Sequence, residues 1–333
     1  MRKTSRIWVL ALTALGIWLE GCSAAKSTPP PTSRPTPVTR PTAKPTPSAA
    51  PTVANRPPVL EGAYLGQPRP GLTPEPFAAH ILSDDGDFDY HLHTSVYFSS
   101  DSQEVYFTHQ TLEPLRLMIL SMRQENGAWS QPQVAPFSGT YDDNCAAFSA
   151  DGQRFYFTSN RPLGAGGEPE EESNIWFVER TGAGWSEPGH VRSPMDIDRD
   201  EGPLYFSAAL EGGRGSYDVY RSRFVDGRYT APENLGEPVN TDLAEYVVLT
   251  APDERFLILY RFDRADKAGS GLYVSLRLPG DAWTEPVYMD DELGLDFGFD
   301  ASLSPDGKYL FLLDRGVGVY WVDAQVIEEF VMR

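Results

Sequence analysis

An all-β propeller of five four-stranded blades is the fold class that this 333-residue sequence predicts, on three observations. A polar turn between two apolar runs, FSADGQRFYFTSN at Phe148–Asn160, returns as LSPDGKYLFLLD from Leu303. A second series, aromatic-x-x-Pro, interleaves with the first. The composition, with 40 aromatic residues and 29 each of Gly and Pro, suits many short strands joined by tight turns.

The turn units come in order along the chain. Ser99-Ser100-Asp101-Ser102 leads to Val105-Tyr106-Phe107, and Ser149-Ala150-Asp151-Gly152 to Phe155-Tyr156-Phe157. Ala251-Pro252-Asp253-Glu254 leads to Phe256-Leu257-Ile258-Leu259, and Ser304-Pro305-Asp306-Gly307 to Tyr309-Leu310-Phe311. A fifth unit belongs near residue 202, where the second strand survives as Leu204-Tyr205-Phe206 and the first has eroded. Asp holds such a turn through its side chain, and Gly accepts positive φ. The second strands are apolar without alternation, as expected of inner strands buried on both faces.

The aromatic series is Trp129-Ser-Gln-Pro132, Trp185-Ser-Glu-Pro188, Tyr229-Thr-Ala-Pro232 and Trp283-Thr-Glu-Pro286. Each follows a third strand: LMILSM, IWFVER, DVYRSR and LYVSLR. A fifth third strand, Val319–Val322, lies near the C-terminus without that partner. A repeat of about 50 residues holding four strands is a propeller blade. The last blade lacks an outer strand, which the stretch before the first repeat, Pro74–Leu82, can supply, closing the ring and removing free edges. A sixth blade would need second and third strands within 59–90, and the sequence has none there.

The turn units resemble the WD40-like β-propeller repeat of the TolB type, a pattern close to S-P-D-G-x-x-[IL]-x-[FY], carried here by Ser149–Phe157 and Ser304–Phe311. The resemblance implies a bacterial envelope protein that binds partners, in a family of which few members are enzymes.

The organisation before the propeller supports an envelope address. Residues 1–21 read as a signal peptide: Arg2, Lys3 and Arg6, then an apolar run from Ile7 to Leu19 that is short for a membrane span. Leu19-Glu20-Gly21-Cys22 resembles the bacterial lipobox, which implies that Cys22 is lipidated and becomes the mature N-terminus. Residues 22–58 read as the lipidated Cys and a disordered tether, with 11 prolines between Ser23 and Pro58 and almost no large apolar residues. Residues 59–333 form the propeller. The expected location is the extracytoplasmic side of the bacterial cell envelope, anchored to the membrane by lipid. Ser23 favours the outer membrane where there is one.

Net charge is −19 for the whole chain and −26 for the propeller part, which argues against nucleic acid as a partner. Five expected connections from a fourth strand to the next first strand, at 83–91, 138–143, 193–201, 237–245 and 289–300, hold 18 acids against Arg199. They belong to one face, so an acidic collar should surround the channel mouth. A cation, a basic protein or a polymer of the envelope would fit it, as would plain solvation of loops. Asp143, Glu245 and Asp300 should point toward the axis, with His93 in the matching place in the first blade. Arg161, Arg261 and Arg315, at second-strand ends, could clamp an anionic group or pair with the collar. These six make the candidate ligand site of a monomer.

Asp196-x-Asp198-x-Asp200-Glu201 spaces oxygens as calcium loops do, making calcium the one cofactor suggested. His91-Leu92-His93 sets two imidazoles on one strand face, with no third metal ligand apparent. There are two cysteines, Cys22 and Cys145, so no disulfide framework exists. No nucleophile elbow, Walker loop or HExxH motif is present. The enzymatic alternative is a sialidase-like propeller glycoside hydrolase using Asp143, Glu245 and the arginines, although the Ser-x-Asp turns lack the Gly and Trp of the sialidase Asp box.

Overall fold

A computed structural model describes residues 8–9, 60–82, 91–112, 114–149, 151–164, 166–191, 202–226, 228–263, 269–295, 297–314 and 317–331. Cys22, the tether, Arg315 and the carboxylates Asp196, Asp198, Asp200 and Glu201 lie outside these residues.

Five antiparallel sheets form the blades. Blade 1 holds His91–Leu92 and Tyr97–Phe98 as its inner strand, then Glu104–Leu112, Leu115–Glu125 and Gln133–Val134. Blade 2 runs Asp143–Phe148, Arg154–Ser159, Asn174–Thr181 and Gly189–His190. Blade 3 holds Leu204–Ala208, Asp218–Ser222 and Glu233–Asn234. At its inner edge Trp8–Val9 pairs in parallel with Leu204 and Tyr205, although the leader reading assigns those two residues to the segment removed on processing. Blade 4 runs Ala244–Thr250, Phe256–Phe262, Gly271–Leu276 and Val287–Tyr288. Blade 5 runs Phe297–Leu303, Tyr309–Asp314 and Gly318–Asp323. Its outer strand is Glu75–Pro76, paired with Trp321 and Tyr320, and Phe77 N–H donates to Val319 O at 2.7 Å. The chain's start therefore closes its end, as the sequence predicts.

The repeated turn has one mechanism. The Ser149 hydroxyl donates to Asp151 Oδ1 at 2.7 Å and accepts the N–H of Arg154, the first residue of the second strand, at 2.5 Å. Ser99 and Ser304 repeat this with Asp101 and Asp306, both at 2.7 Å. In blade 4 Ala251 has no hydroxyl, and only the carboxylate bond survives, from Arg255 N–H to Asp253 Oδ1 at 3.2 Å. Gly152 and Gly307 sit at φ +72°, whereas Ser102 and Glu254 take the same left-handed turn at φ +57° and +58°. The aromatic-x-x-Pro series is equally regular: the hydroxyls of Ser130, Ser186, Thr230 and Thr284 each accept an N–H from the end of the preceding third strand.

Five apolar clusters fill the five seams between neighbouring blades. Phe155 and Phe157 pack toward blade 1 with Tyr106 and Ile119, while Tyr156 between them packs toward blade 3 with Leu204. Burial on both faces explains why this strand has no polar alternation. The closing seam, between blades 5 and 1, is the most aromatic, gathering Tyr64, Phe77, Phe98, Trp129, Phe311 and Trp321. Two short helices stand outside the sequence expectation: Met289–Leu293, ended by Gly294 at φ +68°, and Val326–Val331.

Candidate functional site

First strands line the propeller axis, and their early residues carry most of the polar groups singled out above. Asp143 opens the first strand of blade 2 and is fully buried. Arg161, just past the second strand, reaches its Oδ1 at 2.7 Å. The same guanidinium donates to Phe137 O at 3.1 Å and Ser159 Oγ at 2.9 Å, and its carbon lies 4.9 Å from the Phe157 ring centre. Ser138 Oγ donates to the other Asp143 oxygen at 2.8 Å.

Blade 4 repeats the device with different side chains. Glu245 is fully buried and directly opposite Arg261, whose Nε donates to it at 3.1 Å. Arg261 also donates to Val239 O at 3.3 Å and lies 4.6 Å over the Tyr273 ring. Thr241 bonds Glu245 through both its N–H, at 3.1 Å, and its hydroxyl. Burial raises the Glu245 pKa and outweighs the opposing pull of Thr241 and Arg261. In both blades an acid at the start of strand one, an arginine at the end of strand two and a carbonyl from the preceding connection form one closed unit. The two arginines are thereby placed on the carboxylates beside them.

Asp300 differs. It sits in the middle of its strand, next to Ala301, which pairs with Leu312. Its partners come from the next blade: Ser95 N–H donates to Oδ2 at 2.7 Å, and Tyr97 O–H lies 2.8 and 2.9 Å from its two oxygens. Among the described residues no cation pairs with it. The residue as a whole is half-buried and its carboxylate is enclosed by protein, and Arg315, which follows strand two of this blade as Arg161 does in blade 2, lies outside the described residues. Burial pushes its pKa up to about 6, against the opposing bonds from Tyr97 and Ser95.

Beside it along the same seam is His93, partly exposed, with its ring 5.3 Å from that of Phe299 in an edge-on contact. Burial lowers the His93 pKa, and a side-chain hydrogen bond with Asn144 of blade 2 opposes that shift. Asp300, Tyr97, His93 and Asn144 thus form an arc across blades 5, 1 and 2. Tyr97 and Asn144 had no motif to mark them. Their signal was position on a first strand, the same one that marks Asp300 and His93.

The rest of the collar within the described residues is partly neutralised. Arg214 pairs with Glu237 at 2.5 Å and Asp242 at 3.0 Å. Asp142 accepts from Leu117 N–H at 3.1 Å and Asn160 at 3.0 Å. Among the described residues no group of three or more His, Cys, Asp or Glu is placed to hold a metal ion.

No protein-family profile and no curated protein matches the chain. Solved structures do. An alpha-L-arabinofuranosidase from Lactobacillus brevis is similar at 14% identity and TM-score 0.38, over 68% of this chain and 88% of that one. A gluconolactonase from Xanthomonas campestris is similar at 14% identity and TM-score 0.32, over 81% and 98%. A puromycin-hydrolyzing peptidase from Mycobacterium tuberculosis is similar at 14% identity and TM-score 0.35, over 78% and 49%. The architecture is that of a five-bladed β-propeller, and these likenesses tie it to no particular propeller family.

Proposed function

We propose that the chain is a lipid-anchored recognition module of the bacterial cell envelope, built from WD40-like units of the TolB type. Cys22 carries the lipid, residues 23–58 space the domain from the membrane, and one face of the propeller takes a cationic protein or polymer. The observation that carries the recognition reading is the state of the axial carboxylates. Asp143 and Glu245 are closed off by arginine, and among the described residues Asp300 is bonded only by the uncharged Ser95 and Tyr97 and its own strand. Hydrolysis of a glycosidic bond ordinarily asks for two carboxyl groups facing one another across roughly 5–10 Å. With two of the three tied into ion pairs, what is left suits binding rather than that chemistry.

Intact protein, purified in detergent, should bind saturably to envelope fragments from the same cells, and binding should weaken in Asp300→Asn and at about 0.5 M salt, where screening is strong. Absence of saturable binding, or binding indifferent to both changes, would refute the recognition reading. Metabolic labelling with an alkyne fatty acid tests the anchor separately: label should vanish in Cys22→Ser, and its persistence there would remove the lipid.

A further inference from the structure

We propose that the inner edge of blade 3 is a strand-acceptor site, where the mature protein pairs through its main chain with a short, extended, apolar segment of a partner polypeptide. This rests on the removal of the leader in the reading above, and goes beyond its cationic ligand to a second site of another chemical class.

The chain runs short at blade 3. Between the outer strand of one blade and the second strand of the next lie residues 135–153, 235–255 and 289–308 at three junctions, room for a connection, a first strand and its turn. Between blades 2 and 3 lie only residues 191–203. The deficit is six to eight residues, and the first strands of blades 2, 4 and 5 are six, seven and seven residues long. Among the described residues, Leu204–Ala208 has Asp218–Ser222 on one side, and what pairs with its other side is Trp8–Val9. Trp8 pairs with Leu204 and Val9 with Tyr205, in parallel. Parallel pairing marks a guest, because a first strand joined to the second by a tight turn runs antiparallel, as in blades 2, 4 and 5. A segment from far along the chain thus occupies the place of a first strand.

The edge itself defines the occupant. Alternate residues of a strand turn N–H and C=O to the same side, so the inner side of Leu204–Ala208 presents donors and acceptors that another main chain answers. Leu204, Tyr205 and Ser207 are buried, where unmade main-chain bonds are costly. The segment is short, because blade 4 already meets the far end of the edge: Val247 N–H donates to Ser207 Oγ at 2.7 Å. It is apolar, because the walls are. Trp8–Val9 lies against the first strands of blades 2 and 4, whose carboxylates Asp143 and Glu245 are closed by Arg161 and Arg261. The flanking seams hold Tyr156, Leu204 and Phe206 on one side and Tyr205, Val219 and Val247 on the other. A charged side chain would be desolvated there without a partner. The mature protein, having lost Trp8 and Val9 with the leader, offers this edge to a segment of another chain.

The leader supplies the probe. A labelled synthetic peptide of residues 5–11, SRIWVLA, should bind saturably to processed protein in detergent, followed by fluorescence anisotropy, and should slow amide exchange at residues 204–206. The same peptide methylated on the main-chain nitrogens of Trp8 and Val9 keeps its side chains and loses those donors, so it should bind at least about tenfold more weakly. Uncleaved Cys22→Ser precursor retains its own Trp8–Val9. It should bind the peptide at least about tenfold more weakly than processed protein does, with amides 204–206 already protected. Equal binding of the methylated peptide, equal binding to the precursor, unprotected amides at 204–206 with peptide bound, or no saturable binding would each overturn the proposal. So would an intact mass showing residues 1–21 still attached to the purified protein, since the edge would then keep its own strand. Envelope fragments that still bind in a salt- and Asp300-dependent way would leave the recognition reading standing after such a result. Peptide binding without fragment binding would leave only the strand site.

Discussion

Asp143 and Asp300 are the same residue type on the same strand of two blades, and their surroundings have almost nothing in common. Asp143 stands at the strand's end, opposite Ser159, where the neighbouring strand turns out into Arg161. Asp300 stands further along, one residue before the Ala301–Leu312 pair, where the neighbouring strand presents Leu312 and Leu313. In blades 2 and 4 an arginine at the end of strand two reaches a carboxylate at the first or second position of strand one. Asp300 is met across the seam, by a phenol and a peptide N–H.

The largest effect expected from this contrast follows from removing the scaffold arginines. Arg161→Met leaves Asp143 buried and uncompensated, which typically costs about 3–5 kcal/mol. Urea unfolding should show the midpoint falling at unchanged slope. The double variant Asp143→Asn/Arg161→Met should recover most of the loss, since the penalty belongs to the orphaned charge. Arg261→Met with Glu245→Gln should repeat the pattern in blade 4. A single variant as stable as the parent would show that these carboxylates have another source of compensation, and the division between scaffold and site would lose its basis.

Neutralising the channel carboxylate should do the reverse. The folded protein holds a proton on Asp300 up to about pH 6, against an ordinary value near 3.8. Its contribution to stability is therefore complete below pH 4 and is lost as pH rises through 6, a change on the order of 2–3 kcal/mol. Asp300→Asn should flatten that part of the stability–pH curve, gaining at pH 7 and changing little at pH 4. Glu104 supplies the opposite slope. Burial acts to raise its pKa, but Arg180, which bonds it from blade 2, and Arg123 hold it below the ordinary value. Its contribution is present above about pH 4.5 and lost below that. Glu104→Gln should therefore weaken the protein at pH 7 and make little difference in strong acid. Parallel curves for the two variants would contradict the assignment of one carboxylate to a seam clamp and the other to the channel.

Much of the architecture was legible because it rests on local chemistry. The Ser-x-Asp turn is a contact between residues two to five apart, and the aromatic-x-x-Pro hydroxyl bonds a strand end seven or eight residues back. Spacing reports such contacts directly. The closure of blade 5 by Glu75–Pro76 could also be read, since a missing outer strand demands a donor. Contacts across seams were not legible. Arg180 meets Glu104 from 76 positions away, and the same acid is bonded by Tyr106 two residues along its own strand. Nothing in spacing says which residue of one blade faces which of the next. Asp300 lies in an inner strand and was grouped from sequence with Asp143 and Glu245. What separates it is its partners from the next blade, Ser95 and Tyr97, of which spacing carries no sign.

Tyr97 gives the finest test of that comparison, and the smallest expected effect. Its hydroxyl bonds both oxygens of Asp300 and favours the ionised form. Tyr97→Phe keeps the ring and the carboxylate and removes the bond between them, so stability at pH 7 should fall by about 1 kcal/mol. The pH at which Asp300 titrates should move upward, since burial would then act with less opposition. Asp300→Asn abolishes the transition, whereas Tyr97→Phe displaces it, and carbon-detected NMR of the carboxyl group distinguishes the two outcomes. An unmoved titration in Tyr97→Phe would mean that the phenol does not hold the charge. The seam would then contribute only packing, and Ser95 N–H would be left as its one bond to the carboxylate.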